Sequence, residues 1–101
     1  MSLNAIMEKE ARLVILRTLA EQPDMRLNSS LLREDLADRW GINRSRDWVH
    51  EQLRFLSDEV HAVRVESIGS IQIAAITARG LDHVEGRIVL NNVKRPSPPD
   101  V

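Results

Sequence analysis

The residues of this 101-residue chain with the means to do acid-base, metal or nucleophilic chemistry are few. His50, His61 and His83 show no metal-ligand spacing, and His83 stands beside Asp82 with no candidate nucleophile near it. Cysteine is absent, which removes disulfides, thiolate ligands and cysteine nucleophiles together. Glu34, Asp35 and Asp38 fit a solvated helix face, and four scattered glycines form no phosphate-cradling loop. The histidines are read as surface or capping residues, and no enzyme, metal site or cofactor is expected.

Arginine is the remaining chemistry. Twelve of the 14 basic residues are Arg, whose planar fork suits bidentate contact with phosphate or guanine. Net charge is -1, so any contact with a polyanion must be made by a local cluster and not by bulk attraction.

The elements that must position those arginines follow from periodicity. From Leu3 to Glu21 the pattern is helical, with Leu13, Leu16 and Ala20 beside Ile15 and Leu19 in an arc of nearly half the circumference. So wide an arc suggests a second packing partner, and Leu13, Leu16 and Ala20 are assigned to a homodimer contact. Pro23 and Asp24 stop this helix, Met25 to Leu27 read as a short extended piece, and Asn28 or Ser29 caps a second helix. Leu32, Leu36 and Trp40 recur there at four-residue spacing, which places Trp40 in the core, and Gly41 supplies the left-handed stop. A third helix, capped by Ser45 or Asn43, runs to about Asp58 with Val49, Leu53, Leu56 and Val60 on one stripe and Trp48 and Phe55 on its flank.

The period then becomes twofold. Val63 and Val65 alternate with Arg64 and Glu66, and Ile71 and Ile73 with Gln72, across an Ile68-Gly69-Ser70 turn, giving a β-hairpin. Thr77 caps a short fourth helix ending at Gly86, and Arg87 to Leu90 read as a further strand. The expected class is mainly α with a small hairpin (α+β), in the order α-(β)-α-α-β-β-α. One domain over 1–90 is followed by a flexible tail over 91–101 that holds Pro96, Pro98 and Pro99.

That order is the order of a winged helix-turn-helix. Leu36-Ala37-Asp38-Arg39-Trp40-Gly41-Ile42 resembles the first helix and turn of helix-turn-helix regulators, and Val49-x-x-x-Leu53-x-x-Leu56 resembles their recognition-helix core. Val63-x-Val65-Glu66 and Ile76-Thr77-x-x-Gly80 are similar to the first wing strand and the exit from the wing. Ser45-Arg46-Asp47, Ile76-Thr77-Ala78-Arg79-Gly80-Leu81-Asp82, Gly86-Arg87 and Val93-Lys94-Arg95-Pro96 more closely resemble a family of small proteins of Mu-like transposable phages, which is described as ArsR-like. The resemblance spans about Ala11 to Pro98 and implies a winged-helix fold, a phage or prophage origin and a DNA-binding role. The chain departs from the ArsR pattern in lacking the cysteine ligands of metal sensors, so metal sensing is not carried over. The stretch from Ile42 to Val49 is also about two residues longer than in the usual motif.

In that motif the third helix presents its N-terminal residues to the major groove. Asn43, Arg44, Ser45, Arg46, His50 and Arg54 lie at its entrance or off its buried stripe, and Arg64 in the hairpin is added as a backbone contact. Asp47, Glu51 and Asp58 share that face and oppose phosphate. The expected function is therefore a duplex-DNA-binding regulator or architectural factor in the cytoplasm of a bacterial host. The competing reading is a winged-helix module that docks a phage or host protein. No apolar run approaches the length of about 20 residues needed to span a bilayer, and no membrane partner is expected.

Overall fold

The computed structural model describes residues 2–96. Helix α1, Leu3–Glu21, starts where Ser2 Oγ accepts the Ala5 N–H at 3.1 Å and ends where Gln22 turns extended before Pro23. Its middle is buried nearly all round: Leu13, Val14, Ile15 and Leu16 are consecutive and all enclosed. Four consecutive residues sweep most of a helical turn, so partners must surround α1. Those partners belong to the same subunit.

Strand β1, Arg26–Asn28, leads into α2, Ser29–Trp40, where Asn28 accepts the Leu31 N–H at 2.9 Å. The helix stops at Gly41, whose φ of 68° is the left-handed conformation that lets Ile42 N–H close on Leu36 O at 2.9 Å. Helix α3, Arg46–Arg54, opens with Ser45 Oγ accepting the Trp48 N–H and buries Val49, Gln52 and Leu53. It runs on through a single π-helical turn, Phe55–Glu59, that buries Leu56. Strands β2, Val63–Ile68, and β3, Ile71–Ile76, form the hairpin, with Gly69 at φ 60° in a two-residue turn of the kind that matches strand twist. Helix α4, Ala78–Val84, is capped by Thr77, whose Oγ1 accepts the Gly80 N–H at 3.2 Å.

The protein is thus α+β, with four α-helices and an antiparallel sheet in the order β1-β3-β2 among the described residues, an arrangement compatible with a winged helix-turn-helix. The expected extended piece is a true edge strand, with Arg26 opposite Ala75 and Asn28 opposite Ile73. The core joins α1 to Leu32, Leu36, Val49, Leu53, Leu56, Ala74 and Ile76, and α1 packs on α2, α3, α4, β1 and β3. No helix of the described residues is long and apolar enough to cross a membrane.

Several expectations are corrected. Leu13 and Leu16, assigned above to a subunit contact, are sealed in the subunit's own core, and Ala20 is half-buried against it. The wide apolar arc of α1 is therefore spent on internal partners. Trp40 is 40% exposed because Gly41 ends α2 one residue later and turns the chain away, leaving the ring beside Arg39 instead of in the core. Arg87 to Leu90 form no strand: Arg87 N–H and Ile88 N–H bond back to Asp82 O, wrapping the end of α4.

The stretch from Asn91 to Pro96, expected to be free, is docked. Leu90 and Val93 are buried, Lys94 N–H reaches Lys9 O at 3.2 Å, and Lys94 Nζ lies 2.8 Å from Glu10 Oε2. Buried His83 secures the return: its Nδ1 accepts the Leu90 N–H at 3.0 Å, which leaves Nε2 to donate to Lys94 O at 2.9 Å. The domain accordingly continues past residue 90. Pro98 and Pro99 lie outside the described residues.

Candidate nucleic-acid interface

The entrance to α3 is built from the residues that end α2 and cap α3. Because Gly41 reverses the chain, residues 42–45 cross the front of α2, where Arg33 Nε donates to Arg44 O at 3.0 Å. Arg44 in turn donates to Asn43 O at 3.2 Å. Arg33, Asn43, Arg44, Ser45 and Arg46 are all exposed. Ser30, Arg33, Glu34, Ser45 and Arg46 line an open cleft between the first turns of α2 and α3. Free N–H groups at the start of α3 add positive dipole character to the same place.

Six of the seven expected contact residues come together on or before α3, with different capacities. Arg46 and Arg54 are exposed. The Ser45 hydroxyl is occupied as the cap. His50 is half-buried, its Nε2 lying 2.8 Å from Ser29 Oγ, which also accepts the Gln72 N–H at 3.1 Å. The Ser29 hydroxyl thus bridges the His50 ring and the β3 backbone. Burial lowers the His50 pKa, the Arg46 charge lowers it further, and Asp47 partly opposes both. His50 thus ties α3 to α2 and β3, and its ring is not free to read a base.

Arg64 is the one not gathered in. Val63 and Val65 face the core, so Arg64 stands on the outward face of the sheet, opposite Ala75 and in the same row as Arg26. Arg54, by contrast, lines a shallow depression with Ser57, Asp58, Val65 and Gln72. Sequence reasoning missed Arg33. It reads as a solvated α2 residue, and nothing in its spacing shows that the following loop returns over it.

What distinguishes this region is that several unpaired arginines are gathered at one helix entrance. Some cations are matched, Arg39 to Asp35 at 2.6 Å and Glu21 at 3.3 Å, Arg87 to Asp82 at 2.7 Å and to Glu85, and Lys94 to Glu10, whereas Arg17, Arg26, Arg64, Arg79 and Arg95 form no ion pair among the described residues. Among the described residues, no carboxylate lies within 4.0 Å of the Arg33, Arg44, Arg46 or Arg54 guanidinium, as every ion pair falls elsewhere. Asp47, Glu51 and Asp58 are exposed nearby but do not close on them.

The back of α3 is anchored by a polar network. Buried Gln52 accepts from Arg12 Nε at 2.9 Å and donates to Glu8 Oε2 at 3.1 Å. The Arg12 guanidinium lies 3.8 Å from the Phe55 ring centroid and also donates to Asn92 O at 2.9 Å. Burial lowers the Arg12 pKa, and Glu8 at 3.8 Å offsets part of that. One side chain therefore joins α1, α3 and the docked C-terminal segment.

Comparison with known proteins places the chain beside one of phage origin. Over 96 residues it is 38% identical to the uncharacterized protein gp26 of Escherichia phage Mu, a match covering 95% of this chain and 97% of that protein. It belongs to the Mu gp26 family. Similarity over almost the full length of both makes the shared unit the whole domain and not a single motif, and it supports the Mu-like phage origin that the Ser45-Arg46-Asp47 and Ile76-to-Asp82 segments suggest. No family model matches the chain, and no solved structure does.

Proposed function

We propose that this member of the Mu gp26 family is a winged helix-turn-helix protein that binds duplex DNA through α3 and the loop that enters it, as a phage regulator or architectural factor acting in the bacterial cytoplasm. The observation that carries the reading is the set of unpaired guanidiniums. Arg33, Arg44 and Arg46 gather at the mouth of α3, with Arg54 further along it, and none has a carboxylate within 4.0 Å among the described residues. An α-helix fits the major groove, Arg46 and Arg54 have the reach and the fork to meet base edges, and Arg33 and Arg44 suit the flanking phosphates. The reading drops His50, which is engaged with Ser29, and Arg64, which faces the other way.

A second reading rests on Asp47, Glu51 and Asp58, exposed on the same helix. Here the winged helix docks a phage or host protein, and the mixed charges of α3 meet a mixed-charge surface. Fluorescence anisotropy with labelled duplexes from the phage genome separates the two. A cluster of a few phosphate contacts makes affinity fall steeply, roughly as a power of salt concentration set by the number of contacts. Anisotropy that stays flat even at low salt would leave the protein-docking reading standing.

A further inference from the structure

The outward face of the sheet carries the clearest unassigned surface. Directly opposed residues of neighbouring strands share a face, so the pairings Arg26 to Ala75 to Arg64 and Asn28 to Ile73 to Glu66 define two adjacent rows on that side. Val63, Val65, Ala74 and Ile76 face the core instead. The floor along β3 is apolar and half-buried, and the hairpin's Ile68 is 57% exposed beside it. Arg64 and Glu66, two residues apart on one strand, carry opposite charges that form no ion pair among the described residues.

We infer that this face associates with a second copy of the chain. The two rows are complementary to each other. A two-fold axis lying in the interface, across the strands and between the rows, brings the partner's Glu66 over Arg64 and the partner's Ile73 over Ala75, and the symmetry makes each contact twice. Isologous packing demands this kind of self-match, and stacked sheets satisfy it at a spacing of about 10 Å. A polyanion is the poorer occupant, because although Arg26 and Arg64 would attract it, Glu66 stands beside Arg64 and the apolar floor gains nothing from phosphate, whereas a second copy uses both charges and that floor. Three short strands offer about 400 Å² per copy, well under the usual stable interface, so the association is weak and concentration-dependent. It is independent of the DNA reading and replaces the α1 contact that burial of Leu13 and Leu16 removes.

Sedimentation equilibrium of the full chain without DNA, from micromolar to millimolar concentration, tests it. Self-association is expected in the parent. Glu66→Arg sets like charges face to face and is expected to raise the dissociation constant by about tenfold or more, and the swap Arg64→Glu with Glu66→Arg is expected to restore it. Both substitutions fall on exposed positions, and thermal unfolding by circular dichroism checks that each variant is folded. A monomer at every concentration, association indifferent to Glu66→Arg, a charge swap that fails to restore it, or loss only on Leu3→Ser with Ile6→Ser at the exposed start of α1 would each overturn the inference. DNA titration of Glu66→Arg reads the α3 proposal separately.

Discussion

Gly80 is the position at which the structure makes its sharpest demand. Helix α4 passes so close to the end of β2 that a Cβ at residue 80 would stand 2.3 Å from Ala62 O, 3.2 Å from Ala62 C and 2.8 Å from Ile76 Cγ1. The isoleucine can rotate, but the carbonyl is backbone and is held by the Thr77 N–H at 2.9 Å. Gly80→Ala must therefore move α4 or residue 62 by roughly 1 Å, a distortion of the overpacking kind that costs about 1 to 3 kcal/mol. Weakening the Thr77 to Ala62 hydrogen bond adds about 1 kcal/mol. Alanine's better helix propensity returns about 1 kcal/mol. The net is a loss of about 2 kcal/mol, or a fall in Tm of about 10 °C for a domain of this size. Urea and thermal unfolding followed by circular dichroism measure it. An alanine variant as stable as the parent would refute the close approach of α4 to the sheet and, with it, the packing that sets the hairpin.

His50 gives a pH signature. Its pKa is lowered on folding, chiefly by burial and then by Arg46, so the neutral ring is the folded form. Its contribution is complete above the unfolded value of about 6.5 and is lost as pH falls below that through the lower folded value. Urea midpoints at about pH 7.5 and 5 should diverge more for the parent than for His50→Gln, and equal divergence would contradict a buried neutral ring. Arg46→Ala and Arg54→Ala should each weaken binding to a selected duplex by about 1 to 3 kcal/mol where the arginine reads a base, as measured by anisotropy; unchanged affinity in both removes them from the interface. Arg12→Ala removes the stack on Phe55 and the bonds to Gln52 and Asn92, so hydrogen exchange at residues 90–94 and in α3 should quicken together. Acceleration in only one of the two would break the proposed link between them.

The features legible in the sequence are those decided within a few residues. Asn28, Ser45 and Thr77 act as caps because their oxygens need only reach an N–H two or three residues on, and Gly41 stops α2 because the left-handed turn is cheap for glycine. Features decided by distant segments were not legible. Leu13 and Leu16 suit a core and an interface equally well, and only the arrival of three other helices distinguishes them. Twofold alternation marks Ile71 and Ile73 as strand residues, yet the register that sets Ile73 against Glu66 turns both outward, and alternation within one strand carries no register. His83 holding Leu90 and Lys94, and Arg33 gripping Arg44 O, each join residues seven to eleven positions apart through side chains that spacing reads as solvated.

The central claim is that α3 and the loop entering it, with Arg33 beside them, form the surface that meets DNA. Amide chemical-shift mapping of the isotope-labelled chain during titration with a duplex selected from the phage genome tests it directly. The expected result is perturbation concentrated at residues 43–47, 50 and 54 and at Arg33, reversed by added salt, with the outward sheet residues Arg26 and Ala75 unmoved. Shifts confined to the sheet or to α1, or none at low salt, would contradict it.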